Sequence, residues 1–191
     1  SQGQILQDLE EVKEEISNFY HALYQTQGFK PMDELLNCVQ PSVTEQMNNH
    51  INKPYVAVEV KKDLFDMAPS KAPGVDGFTA GFYQRHWEIL GEDITMAVLE
   101  FLNGGELPLG LNDTSITLIP KVRHPQKISQ FRPIALCPVL YKIAVKAIAN
   151  RVRGILGEVI GEEQSAFVPG RLITDNVLVA YESIHAIKRR K

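Results

Sequence analysis

Apolar side chains recur every three to four positions at the start of the chain. Ile5, Leu9, Val12, Ile16, Phe19, Tyr20 and Leu23 fall on one side, with Glu10, Glu11, Glu14 and Glu15 opposite. That spacing predicts an amphipathic helix over 4–24, stopped by Gly28 and Pro31. A second helix is expected from Ser42, where Glu45 stands at capping-box spacing, and Pro54 should end it. Further helices are expected over 58–68, from Thr79 to about Leu90 with Gly91 as the break, and from Glu92 to Leu102 before Gly104-Gly105. Between the first two of these lies a run dense in turn formers, Lys71-Ala72-Pro73-Gly74-Val75-Asp76-Gly77.

The period then changes. Residues 115–119, Ser-Ile-Thr-Leu-Ile, alternate and are rich in β-branched side chains, so they predict a strand limited by Pro120. A polar loop, 121–130, leads to a partner strand over 131–136, and the pair forms a hairpin with a long basic tip. The clearest helix is predicted over 139–157. Leu140, Ile143, Ala144, Ala147, Ile148, Val152, Ile155 and Leu156 make its apolar stripe, while Lys142, Lys146, Asn150 and Arg153 make a second, basic one. After a loop over 162–172, Thr174 should cap a last helix to about Lys188. The fold class is therefore α+β, mainly helical, with one basic β-hairpin.

Composition narrows the class. The chain has 191 residues, 44% hydrophobic and 23% charged, which suits a folded domain and argues against wholesale disorder. Two cysteines are too few for a disulfide framework, so a reducing, intracellular compartment is expected. No apolar run is long enough to span a membrane, and no signal peptide is visible. A start at Ser and an end in four basic residues suggest a piece of something longer.

The net charge of −3 hides an asymmetry. Residues 1–120 hold 7 Lys/Arg against 18 Asp/Glu, a net of −11, and residues 121–191 hold 13 against 5, a net of +8. Such a split points to a nucleic-acid surface on the basic part, or to segregated solvated charge. The chain divides into an acidic helical lead-in, 1–54, and a body, 55–191.

There is no Walker A run, GxGxxG, HExxH or GxSxG, and no Cys/His spacing suits zinc. The chemistry on offer is phosphate-type. Lys121 at the mouth of the hairpin and Arg132 on its returning arm could clamp a triphosphate or a nucleic-acid backbone, or could be two solvated loop cations. The stripe of Lys142, Lys146 and Arg153 could lie along a phosphate backbone, or simply face water. The Pro73-Gly74 and Asp76-Gly77 turns allow a backbone to approach a ligand, or serve as an interhelix turn.

Five motifs in order carry a resemblance. Lys71-Ala72-Pro73-Gly74-Val75-Asp76-Gly77-Phe78, Leu118-Ile119-Pro120-Lys121, Phe131-Arg132-Pro133-Ile134, Tyr141-Lys142-Ile143, and Gln164-Ser165-Ala166-Phe167 with Gly170-Arg171 and Asp175-Asn176 span roughly 55–188. Together they resemble the reverse transcriptase of non-LTR (LINE-type) retrotransposons, with the look of the plant lineage. Val75 stands where that family usually has Pro, and Gln130 where an acidic residue is common.

The resemblance implies the fingers and palm entrance of a right-hand polymerase. It places Lys121 and Arg132 along the incoming nucleotide and template, and Gln164 and Arg171 near the template–primer; the basic stripe of Lys142, Lys146 and Arg153, read from helical spacing, would add template–primer contacts. It implies an RNA template, a DNA primer, a deoxynucleoside triphosphate, the rest of the polymerase and an upstream endonuclease domain as partners. The complete enzyme would use Mg²⁺ or Mn²⁺, held by aspartates that the family carries beyond the matched stretch. This RNA-directed DNA polymerase fragment is therefore expected to be inactive alone, and Asp76 and Asp175 belong to other motifs. The alternative is a non-enzymatic nucleic-acid-binding remnant or domesticated module. The expected location is nuclear or cytoplasmic.

Overall fold

The computed structural model describes residues 8–26, 28, 32–162, 164–166 and 168–189. It divides into two compact units, Ser1–Gln40 with Ile116–Ala135, and Pro41–Ser115 with Leu136–Lys191. The acidic segment 1–54 is thus shared between them.

The first unit holds α1 (Leu9–Tyr24), the short α2 (Asp33–Leu36) and a hairpin of β1 (Ser115–Pro120) and β2 (Phe131–Leu136). The Asp8 carboxylate caps α1, accepting the N–H groups of Glu10 and Glu11 at 3.0 and 3.1 Å. Glu10 and Glu11 then sit in the first turn, where the helix dipole favours them. The expected start at residue 4, including Ile5, lies outside the described residues, as does Pro31. Gln25 is already extended, so α1 ends before Gly28. Tyr20 is buried, and with Ile16 and Tyr24 it lines a groove of about 520 Å³ closed by Ile116 and Leu118 of β1.

The second unit is helical. It contains α3 (Glu45–Ile51), α4 (Ala57–Phe65), α5 (Ala80–Arg85), α6 (Trp87–Leu102), α7 (Val139–Arg153), α8 (Leu156–Val159) and α9 (Ile173–Arg189). Its core is Val60 and Leu64 of α4, Ala80 of α5, Ile94 and Val98 of α6, and Val139, Ile143 and Ala144 of α7, joined by Met67. Each large side chain buried there contributes about 1.5–3 kcal/mol. Gln84 of α5 ties the layers together, its amide donating to the carbonyls of Leu64 and Met67 at the end of α4.

Several boundaries differ from expectation. Thr44, not Ser42, caps α3: its hydroxyl accepts the Met47 N–H at 3.2 Å. Gly91 does not end a helix; the break falls at His86, and α6 runs through Gly91. The reason is packing: a Cβ on Gly91 would stand 2.6 Å from the Trp87 ring, so glycine makes room for the indole one turn earlier. The helix expected over 139–157 ends at Arg153, and Gly157 falls inside α8. Likewise α9 starts at Ile173, one residue before its expected cap, Thr174, and Asp175 accepts the Leu172 N–H instead.

Candidate nucleic-acid interface

The hairpin ends fix its register. Six residues of β1 pair with six of β2, and the Lys121 N–H donates to the Gln130 carbonyl at 2.8 Å just past the strands. Lys121 therefore lies across from Gln130, and Ile119 across from Arg132. Side chains two apart on a strand share a face, so Lys121 and Arg132 sit diagonally on one face at the loop end. Pro120 and Pro133 fall at positions whose backbone nitrogens point away from the partner strand, so neither interrupts the ladder. Ile116 and Leu118, which close the α1 groove, belong to the other face. Arg132 and Lys121 are both exposed. The Lys121 ammonium donates to the Ser129 carbonyl at 3.0 Å, which folds the lysine back over the loop. Within that loop the Gln130 side chain accepts the N–H groups of Gln126 and Lys127, giving the basic tip a defined shape.

The basic stripe of α7 is only partly free. The Lys142 ammonium donates to the Ala72 carbonyl at 2.8 Å, pinning the Lys71–Phe78 turn to the start of α7. Lys146 is half-buried and its charge acts on Asp63 and Asp66 of the α4 region. Asn150 donates to Asp63. Arg153 is exposed. The Lys71–Phe78 turn meets its own chain: a Cβ on Gly74 would lie 2.4 Å from the Pro138 nitrogen. Gly77 has φ +75°, and the Asp76 carboxylate accepts the Phe78 N–H. The close approach that glycine permits is thus used by residues 137–138.

Gln164 and Arg171 share one loop. The Arg171 guanidinium donates to the carbonyls of Gly157, Ile160, Gly161 and Gln164 at 2.5–3.3 Å. It closes the end of α8 and shapes the 161–171 turn, while the Gln164 amide donates to the Ala166 carbonyl. Phe167 of the same motif lies outside the described residues.

Arg151 escaped the sequence reading. It is 9% exposed and spends all five N–H donors: two on the Glu59 carboxylate, three on the carbonyls of Ile51, Lys53 and Pro54. Its guanidinium also stands 3.5 Å from the centre of the Tyr55 ring. The one available signal was an arginine in step with Ala144 and Ala147 on the apolar stripe. The paired fork holds the Glu59 carboxyl below the usual range, and burial pushes Asp63 up.

Among the described residues no group of three or more His, Cys, Asp or Glu could hold a metal ion, and no helix is long and apolar enough to cross a membrane. No family model matches the chain. The chain is 34% identical over 189 residues, 98% of its length, to the transposon TX1 uncharacterized 149 kDa protein of Xenopus laevis. It spans 14% of that relative, and so is related to a short stretch of a much longer transposon protein.

Proposed function

We propose that the chain is the fingers region and palm entrance of a LINE-type retrotransposon reverse transcriptase, and that it contributes nucleotide-phosphate and template–primer contacts. The observation that carries this reading is the placement of Lys121 and Arg132 on one exposed hairpin face, in a chain related to a transposon protein over 98% of its length. A lysine point charge beside an arginine fork suits a triphosphate or a backbone phosphate. The relative comes from an amphibian, so the plant-lineage likeness rests on the motifs alone.

In this reading Arg153 adds an exposed cation on α7, Lys142 and Lys146 hold α7 against its neighbours, and Arg171 sets the shape of the loop that presents Gln164. The partners are an RNA template, a DNA primer and a nucleoside triphosphate, with the remainder of the polymerase. Divalent magnesium or manganese belongs to the complete enzyme. Asp76 accepts an N–H in a turn and Asp175 one at a helix start, so neither is put forward as its ligand. No catalytic step is assigned to this chain.

Binding to a primed RNA template, measured across a salt series, tests the proposal. The Lys121→Glu/Arg132→Glu double variant should weaken binding and reduce the log–log salt slope by about 2, one per lost phosphate contact. An unchanged slope would refute the hairpin as a phosphate site. Primer extension by the chain with magnesium should yield no product; templated synthesis would overturn the inactive-fragment reading.

A further inference from the structure

A second cavity, in the helical unit, is built differently from the hairpin. It lies between the 50–56 segment, α4 and α7, has a volume of about 480 Å³, and is lined by Asp63, Asn150, Lys53, His50, Val56 and Ala147 among others. That volume is in the range of small-ligand pockets, about 300–1,000 Å³. The cavity wall mixes apolar surface from Pro54, Val56 and Ala147 with a few polar groups.

The polar groups are not equivalent. Arg151 and Glu59 saturate one another and the neighbouring carbonyls, so they form wall rather than contact points. Lys62 is taken by Asp66 at 2.7 Å. Asp63 is different. It is 3% exposed, and its Oδ1 accepts from Asn150. Among the described residues its other oxygen has no hydrogen-bond partner. Yet no fully enclosed side-chain oxygen or nitrogen among the described residues lacks a partner. Oδ2 must therefore keep its small remaining exposure, and the space Asp63 lines is this cavity. His50 and Lys53 are exposed and stand at the rim.

A buried acceptor among the lining residues, with the exposed Lys53 ammonium and the His50 imidazole N–H beside it, calls for a ligand with a donor at one end and an anion at the other. We propose that this cavity binds a single nucleotide unit, with the exocyclic amine of an amino-bearing base donating to Asp63 Oδ2 and the phosphate held by Lys53 and His50. Carboxylates accept from base amines, and apolar walls fit the base faces. Burial also pushes the Asp63 carboxyl up, so a donor from the ligand would restore hydrogen bonding that the protein leaves unmet. The inference shares with the proposed function the premise that the chain handles nucleotides, but it uses none of the hairpin residues.

Cytidine 5′-monophosphate is the probe, titrated into the chain by isothermal calorimetry and by amide chemical-shift mapping. Shifts should centre on residues 50–63 and 147–151, and ribose 5-phosphate should bind at least tenfold more weakly. Asp63→Asn keeps an acceptor for Asn150 but turns the free oxygen into a donor, and should weaken the nucleotide at least tenfold. Lys53→Glu changes an exposed side chain at the cavity rim and should weaken it severalfold, an independent second variant. Lys121→Glu/Arg132→Glu should lose template binding and yet leave the CMP-induced shifts at 50–63 and 147–151 in place; loss of those shifts in this variant would overturn the cavity. That separates failure of this site from failure of the hairpin reading. A pentacytidylate that binds with CMP-like shifts identifies a strand residue as the ligand, and CMP binding alone identifies a free nucleotide; either supports the site. Equal CMP affinity in wild type and the foldable variants, or shifts confined to 121–132, would overturn it.

Discussion

Arg151 and Glu59 meet fork to carboxylate, Nε to Oε1 at 2.9 Å and Nη2 to Oε2 at 2.8 Å, across 92 positions of sequence. The same guanidinium gathers three carbonyls of the 51–54 segment, and Glu59 Oε2 also accepts the Val56 N–H at 3.0 Å. One side chain thus fastens the end of α3, the start of α4 and the last turn of α7. Arg151→Ala should cost about 3 kcal/mol, the low end for a buried pair, because it leaves three carbonyls without that donor and a part-exposed Glu59 carboxylate with only the Val56 N–H. Arg151→Lys should recover only part of this, since an ammonium cannot reproduce the planar fork. Urea denaturation gives the cost, and limited proteolysis should show new cleavage within 41–54 in the alanine variant.

Acid should act on this region through two opposed carboxyls. Arg151 holds Glu59 below the ordinary carboxylate range, so its stabilising effect is complete above the unfolded-state value and is lost as pH falls through the folded one. Asp63 is held above its ordinary range, so its charge costs stability at neutral pH, and that cost is relieved as pH falls. Glu59→Gln should therefore flatten the acid loss of stability. Asp63→Asn should steepen it while leaving neutral-pH stability equal or higher. Melting temperatures between pH 7 and pH 3 check both signs.

Gly74 and Gly77 should respond to alanine for different reasons. At Gly74 the added Cβ would meet the backbone of 137–138 at 2.4–2.7 Å, where nothing can swing aside. The expected cost is about 1–3 kcal/mol, with the Lys142–Ala72 contact weakened. At Gly77 nothing lies within 4 Å, and the cost is the positive φ alone, about 1 kcal/mol. Equal losses at the two sites in urea midpoints would contradict the close approach.

Arg171→Ala should loosen the loop rather than remove a surface charge. Four carbonyls lose their donor, so amide exchange should accelerate across 157–172, at a stability cost of about 1–3 kcal/mol. Arg171→Lys should restore little of the protection. Exchange rates unchanged from wild type would mean that the guanidinium is not what closes this turn.

Much of the local architecture was legible without coordinates. The α1 and α7 stripes, the β-branched run at 115–119 with its partner strand across a polar loop, and the Thr79 cap all follow from periods of 3.6 and 2 and from end groups within a few residues. The hairpin register, and with it the shared face of Lys121 and Arg132, follows from strand ends only once the pairing is known. Gly91 shows where local rules stop: glycine reads as a breaker, yet α6 passes through it because the Trp87 ring needs the space. Arg151 shows the same for charge. Its acidic and carbonyl partners lie 92 to 100 positions away, and no local pattern announces them. The free oxygen of Asp63 is a consequence of packing α4 against α7, which buries a carboxylate and supplies one donor, Asn150, for two oxygens. Local sequence determined which elements form, because backbone propensity and hydrophobic period act over one or two turns. The tertiary structure decided which polar groups are satisfied by the chain itself and which remain for a ligand, because hydrogen bonding in a packed interior depends on neighbours that only folding brings together.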